Sequence, residues 1–363
     1  MRRMLFATDF LPATNHAALV AAYLTKALDM QTTALHVVDS SLPAIISRIR
    51  QAEGTSMLED LRMQFSRLEA PLAGYSVSVN PISDAIVQKA TELSADLIVL
   101  GAGTLGAYGA FAVGPVAQAV MEQAQQPVLL AHPANRVVAF QTILCPVDHS
   151  AVSLRGLRNA IRLAQVFSAR LVVLSVIPEV SWLTAAVETG SLADAKNEYE
   201  HKWNQELDSF LANVEFDEVK YSKDLRAGIP HEQIAAAAKE HGADLIVMGA
   251  TGRTGILRAV LGSTTRRVLR NLPCSLLTVK QEDVVEELLE DDLRTIALLI
   301  GEGEALYKAG SYEQAAVKIR QALARNPFHL HAVVRLAETF EKLGDDQAAS
   351  RYRRRAKLLG KQL

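Results

Sequence analysis

The heptapeptide ADLIVLG at Ala95–Gly101 recurs as ADLIVMG at Ala243–Gly249, 148 residues later. Each is a short, unbroken apolar run entered by an aspartate and left by a glycine. That pattern suits a strand covered on both faces, as in a parallel sheet, better than a half-exposed strand. Working outward, the flanking segments pair up as well. MLFATDFLPATNHAALVAAYLTKAL (Met4–Leu28) parallels ILCPVDHSAVSLRGLRNAIRLAQVF (Ile143–Phe167), TALHVVDS parallels RLVVLSVIPE, and QQPVLLAHP parallels NLPCSLLTV. The offset grows from 139 at Met4–Leu28 to 148 at the heptapeptide, so the second copy is about nine residues longer, with the excess expected between Trp182 and Phe210.

In both copies short β-branched or leucine-rich runs alternate with segments of helical periodicity, strand and helix in turn through five strands. Such a series predicts right-handed βαβ units and an open, doubly wound parallel sheet. The expected architecture is α/β, with two tandem doubly wound domains over 1–135 and 140–281. From Gln281 the pattern changes. QEDVVEELLEDDLR holds seven acidic residues in fourteen, read as a helical linker over 282–294, and beyond it only helical periodicity remains, a small all-α domain over 295–363.

Bulk properties narrow the function. With 49% hydrophobic and 21% charged residues and a formal charge of −2, the composition is globular and sets up no global field toward nucleic acid or membrane. Cys145 and Cys274 lack a neighbouring Cys or His at ligand spacing, so buried, reduced thiols are expected rather than a disulfide or a metal centre. The opening MRRMLFATDFLPA has the outline of a signal peptide, but Asp9 interrupts it and its counterpart ILCPVDHS is internal. No apolar run reaches bilayer length, and a cytoplasmic protein is expected.

In a doubly wound sheet, ligands sit beyond the carboxyl ends of the strands, where strand order reverses. Asp9 and Asp148 fall at the end of the first strand of each copy, and a glycine stretch follows each fourth strand. In the second copy it reads Gly249-x2-Gly252-x9-Gly262-Ser263. Glycines there permit close approach to the main chain. A helix opening at Gly262 would offer N–H groups, its dipole and the Ser263 and Thr264 hydroxyls to a phosphate, with Arg253 adding charge. A Walker A loop is excluded because no lysine follows. GAGTLG at Gly101–Gly106 has a dinucleotide-site spacing but follows the fourth strand rather than the first.

The glycine spacing, together with PVDHS on the first strand and SVIPE on the second, resembles the ATP-binding type of the universal stress protein family, over about 280 residues as two tandem domains. The resemblance implies an adenine nucleotide α-hydrolase-like fold and an ATP site, with or without Mg2+. Pro146, Val147 and Asp148 would lie by base and ribose, Val176 against the adenine, and Met248 and Gly249 would close the pocket. Gly252, Arg253, Gly262, Ser263 and Thr264 would hold the phosphates. It also implies that the last strands of the two domains pair across a pseudo-twofold axis, here PVLLAHP with CSLLTVK inside one chain. The first copy departs, reading Gly101-x2-Thr104-x9-Gly114-Pro115. Thr104 adds a side chain to the cradle, and Pro115 removes a hydroxyl and an N–H. Nucleotide binding is therefore expected in the second copy, with the first a structural partner.

Nothing in the sequence assembles a catalytic set. His231 and Glu232 read as the first turn of a helix, Ser150 and Ser153 as caps, and His149 is a lone histidine. Slow hydrolysis or self-phosphorylation is the enzymatic alternative, and a nucleotide-independent scaffold the other. In the tail, small residues at Gly303, Ala315 and Ala322 with Leu299, Leu306, Tyr312 and Ile319, and Pro327 as a stop, resemble a 34-residue tetratricopeptide repeat, although Glu302 stands at an apolar position. Val333, Leu336, Ala337, Phe340, Gly344, Ala349 and Ala356 continue it. Two such repeats are expected to pack on their own domains, bind a protein partner, or pair two chains as a homodimer. The basic end RYRRRAKLLGK is read as favourable charge at a helix C-terminus, not as a nucleic-acid site.

Overall fold

A computed structural model describes residues 2–11, 14–105, 111–133, 140–178, 192–250, 261–280, 284–326 and 329–360. The first copy contains β1 (Arg3–Ala7), α1 (Asn15–Ala27), β2 (Gln31–Asp39), α2 (Ala44–Arg67), β3 (Gly74–Asn80), α3 (Ile82–Glu92) and β4 (Leu97–Gly101). A two-stranded antiparallel ribbon follows, β5 (Gly103–Leu105) with β6 (Phe111–Val113), and then α4 (Pro115–Gln123) and β7 (Val128–Ala131). The second copy runs β8 (Thr142–Val147), α5 (Ala151–Phe167), β9 (Arg170–Ile177), α6 (Leu192–Leu211), β10 (Tyr221–Ala227), α7 (Pro230–Glu240), β11 (Leu245–Gly249), α8 (Ser263–Leu269) and β12 (Ser275–Val279).

Ten strands form one sheet in the order β10-β9-β8-β11-β12-β7-β4-β1-β2-β3. Read outward from its centre, each half repeats the same order of fifth, fourth, first, second and third strand, as a pseudo-twofold axis requires. Every pairing within a half is parallel, and only the central one, β12 with β7, is antiparallel, with Leu276 opposite Leu130 and Leu277 opposite Leu129. The expected pairing of PVLLAHP with CSLLTVK is thus present inside one chain.

The repeated aspartate of the heptapeptide has a structural task in both copies. Asp96 Oδ2 accepts the Arg3 N–H at 2.8 Å, and Asp244 Oδ2 accepts that of Gln141 at 2.9 Å. Each carboxylate thereby satisfies backbone donors where the first strand of its copy begins.

Helices cover both faces of the sheet. Residues from α1, α2, α5 and α6 form one apolar layer, and residues from α3, α4, α7 and α8 form the other. Both layers run across the seam between copies. Tyr23 of α1 meets Phe167 of α5 at 5.3 Å between ring centroids, and Phe140 packs edge-on against Phe167 at 5.4 Å. Cys145 and Cys274 are buried free thiols, as expected.

Polar groups also cross the seam. The His132 N–H donates to Ser275 Oγ at 3.1 Å, and Lys280 Nζ donates to the Ala124 carbonyl. The His132 ring is pushed down to about 4, chiefly by burial and then by nearby His16, while a hydrogen bond with the Leu272 backbone works the other way. Between pH 4 and 6.5 the unfolded chain therefore takes up a proton that the folded seam refuses, so this histidine lowers stability as pH falls through that window. Asp244, pushed up to about 6 by burial against backbone hydrogen bonds from Gln141 and Thr142, acts in the opposite sense over much of the same range. The comparison must therefore be with a variant. Urea unfolding at pH 7 and pH 5 should show His132→Gln losing less stability on acidification than the parent, by on the order of 2 kcal/mol. Equal losses would remove His132 from the account.

Beyond the sheet lie four helices, α9 (Val284–Lys308), α10 (Tyr312–Arg325), α11 (Leu330–Lys342) and α12 (Asp346–Gly360). The acidic stretch is the start of α9, which continues unbroken into the tail and lies against α5. The four helices share an apolar core of their own that includes Ile296, Ile319, Val333, Leu336 and Ala349.

Candidate nucleotide site

The site is built at the carboxyl ends of β8, β9 and β11, beside the point where strand order reverses. Here the two copies differ in backbone. In the first, β1 and β4 stay paired over four positions, from Met4–Leu97 to Ala7–Leu100. In the second, β8 and β11 are paired only at Ile143–Leu245 and Leu144–Ile246. Beyond those two pairs the hydrogen-bonded ladder ends, while β8 remains joined to β9 as far as Val147–Ser175. Pro146, where the first copy has Ala7, brings no N–H with which to extend a ladder. The shortened ladder lies at the position where doubly wound sheets take ligands.

Alternation along the strands sorts the expected base-binding residues. Met248 belongs to the layer of α7 and α8, Val176 packs against that layer, and Pro146 shares the side of Leu144 in it. Val147 faces the opposite layer and is 5% exposed, so it is core rather than rim. Asp148 follows the strand end. Its Oδ1 accepts the Ser150 N–H at 3.1 Å and the Ser150 hydroxyl at 2.5 Å. Ser150 is the N-cap of α5, as expected, accepting the Ser153 N–H at 3.1 Å, whereas Ser153 lies in the first turn, its Oγ accepting the Asp148 N–H at 3.3 Å and donating to the Ser150 carbonyl at 2.9 Å. The first copy achieves the same with other residues, where Asp9 Oδ1 accepts the Leu11 N–H and the Thr14 hydroxyl, each at 3.0 Å.

On the phosphate side, Gly249 ends β11 and Gly262 is the N-cap of α8, with Ser263 exposed and Thr264 half-buried in its first turn. Gly252 and Arg253 lie outside the described residues. Gly262 has φ −60° and ψ 151°, a conformation open to any residue, so backbone strain does not explain this glycine. What remains is the bare surface it offers to an approaching group. Helix α8 has seven residues, too few for much of a macrodipole, so any anion would be held by the separate N–H groups and hydroxyls of its first turn. Gly249 is approached from behind by α5, since a Cβ on Gly156 would stand 3.3 Å from the Gly249 nitrogen.

The first copy differs here. Its glycine stretch leaves β4 as the β5–β6 ribbon, which places Thr104 opposite Ala112. Pro115 is the first residue of α4 after the N-cap Gly114, a position that suits proline but supplies no N–H.

One part of the site escaped the sequence reading. Ser175 is fully buried, and its Oγ accepts the Trp203 indole N–H at 2.9 Å and lies 3.3 Å from His149 Nε2. His149 has φ +62° and is flanked by Trp203 and Phe210 at 5.2 and 5.5 Å between ring centroids. Helix α6 therefore clamps the residue beside Asp148. Phe10 holds the equivalent left-handed position in the first copy, at φ +59°, against His36. A serine in SVIPE was the only sequence signal, and it does not name its distant partner. His231 and Glu232 open α7 away from this network, with Glu232 as the acidic first-turn residue.

Comparison with known proteins agrees with this geometry. The model of the universal stress protein family matches residues 1–132 and 139–280. A universal stress protein of Methanocaldococcus jannaschii is 33% identical over 142 residues, covering 39% of this chain and 83% of its own. One from Synechocystis is 29% identical over 153 residues, covering 39% and 99% respectively. Among solved structures, a universal stress protein of Archaeoglobus fulgidus superposes with a TM-score of 0.58 at 17% identity, covering 77% of this chain and 98% of that one. At that identity the likeness is one of fold.

Proposed function

The chain belongs to the universal stress protein family, and from that premise we propose that it binds ATP in its second domain alone and passes occupancy to its C-terminal helices. The observation that supports this reading is the β8–β11 ladder, cut to two pairs beside Pro146 at the strand ends that carry Asp148, Val176, Met248 and Gly249, against four pairs in the first copy. Adenine would lie against Val176, Met248 and Pro146, with the ribose near Asp148. The phosphates would meet the first turn of α8 at Gly262, Ser263 and Thr264, with Gly252 and Arg253 completing the cradle. Mg2+ would be bound chiefly through the phosphates. Because the sequence assembles no catalytic set, we read the site as one for binding and regulation rather than turnover.

The helices α9–α12 form two hairpins that we assign to a tetratricopeptide-like pair serving a protein partner. Close crossing at small residues supports the assignment, since a Cβ on Gly303 would stand 2.7 Å from Ile319 Cγ1 and 3.5 Å from the Ala315 carbonyl oxygen. Counting nucleotide per chain after saturation with ATP tests the whole reading. One per chain is expected. None would favour a nucleotide-independent scaffold, and two would show that Thr104 and Pro115 do not disable the first copy.

A further inference from the structure

A second cavity lies at the other end of the sheet. It has a volume of about 800 Å3 and opens beside Thr142, Ala169, Arg170 and Lys220, at the amino ends of β8, β9 and β10. The nucleotide crevice is at the carboxyl ends of the same strands. The facing wall is the tail, formed by Arg294, Ile296 and Ala297 of α9 and by His329, Leu330 and His331 where α11 begins. The cavity thus exists only because the helices dock on the second domain.

Its lining is built of two chemistries. Val219, Ala164, Ile296 and Leu330 supply apolar surface. Charge comes from Arg162, Arg170, Lys220 and Arg294 against Asp217 and Glu218, an excess of two positive charges in a chain whose net charge is −2. Asp217 is already committed, accepting from Gln165 Nε2 at 2.6 Å and from Arg162 at 3.4 Å. Arg170 is braced by donating one N–H to the His241 carbonyl at 2.9 Å, which leaves a planar fork with further donors. The opening turn of α11, a helix of thirteen residues, adds backbone N–H groups to the same wall. Arg170 and Lys220 thus stand beside an open volume of small-ligand size.

We propose that this cavity binds a small organic anion, a carboxylate or phosphate ester carried on an apolar body, and that the ligand fastens the helical tail to the second domain. The charged group meets Arg170, Lys220 and Arg294, while the body lies along Val219, Ile296 and Leu330. The site is independent of the ATP reading, since it shares no residue with the nucleotide crevice.

The test is a fluorescence titration of the full chain with 8-anilinonaphthalene-1-sulfonate, an aromatic anion, with and without saturating ATP. One saturable site per chain is expected, from which ATP does not displace the dye mole for mole. The double charge reversal Lys220→Glu, Arg294→Glu should weaken it at least about tenfold, as expected for lost charge-assisted contacts. Ala297→Trp, which fills the cavity from an exposed position, should weaken it as much, whereas Lys239→Glu on α7 should leave it unaltered. Circular dichroism and melting curves check that each variant is folded. Hydrogen exchange should report protection of the first turn of α11 when the dye is bound. Dye binding indifferent to the charge reversal, or displaced mole for mole by ATP, would overturn the proposal.

Discussion

Valine in place of Gly262 should abolish ATP binding, while valine in place of Gly114 should leave it unchanged. The two glycines occupy equivalent places, each the N-cap of a short helix in extended conformation, at φ −60° and ψ 151° for one and φ −66° and ψ 154° for the other. Neither substitution therefore strains the backbone. At Gly114 a Cβ has room, its nearest neighbour being Gly103 Cα at 4.0 Å. At Gly262 the added side chain would stand where phosphate oxygens meet the first turn of α8. Losing two hydrogen bonds to a charged group at about 1.5–3 kcal/mol each lowers affinity at least about 100-fold. Calorimetric titration of the folded variants reads this out, and similar losses from both changes would end the asymmetry between copies.

The second large effect concerns stability. Leu276→Ala should cost about 2–5 kcal/mol, the usual range for emptying a fully buried leucine site. Leu276 and Leu130 are both 0% exposed and face one another across β12 and β7, so the loss is felt on both sides of the seam. Hydrogen exchange should show reduced protection not only in β11 and β12 but in β7 and β4, which belong to the other copy. Loss confined to the second copy would mean that the two half-sheets open separately.

Much of this was legible in the sequence because it depends on local pattern. The unbroken run of ADLIV reads as a strand buried on both faces, and its recurrence gave the duplication. Gly249 and Asp148 could be placed at strand ends, and Gly262 at a helix start, because a βα connection puts them there whatever surrounds it. Other features depend on distant partners. The Asp96 and Asp244 carboxylates serve strands 93 and 103 residues away, which a heptapeptide cannot announce. Trp203 reaches Ser175 across 28 residues, through a helix whose own periodicity reveals only which face is apolar. The β5–β6 ribbon is three residues a side, too short to establish an alternation. The anion cavity has no motif at all, since its walls come from elements that meet only once α9 has docked.

The antiparallel joint between β7 and β12 has an evolutionary consequence. Two identical chains meeting at this edge would form a self-complementary interface, and any change on one side would appear on the other. Tethering the halves in one polypeptide makes the encounter intramolecular, at an effective concentration that dilution cannot lower. It also releases each half from being its twin's copy. Thr104 and Pro115 could then arise in one copy without appearing in the other, at no cost to the shared sheet.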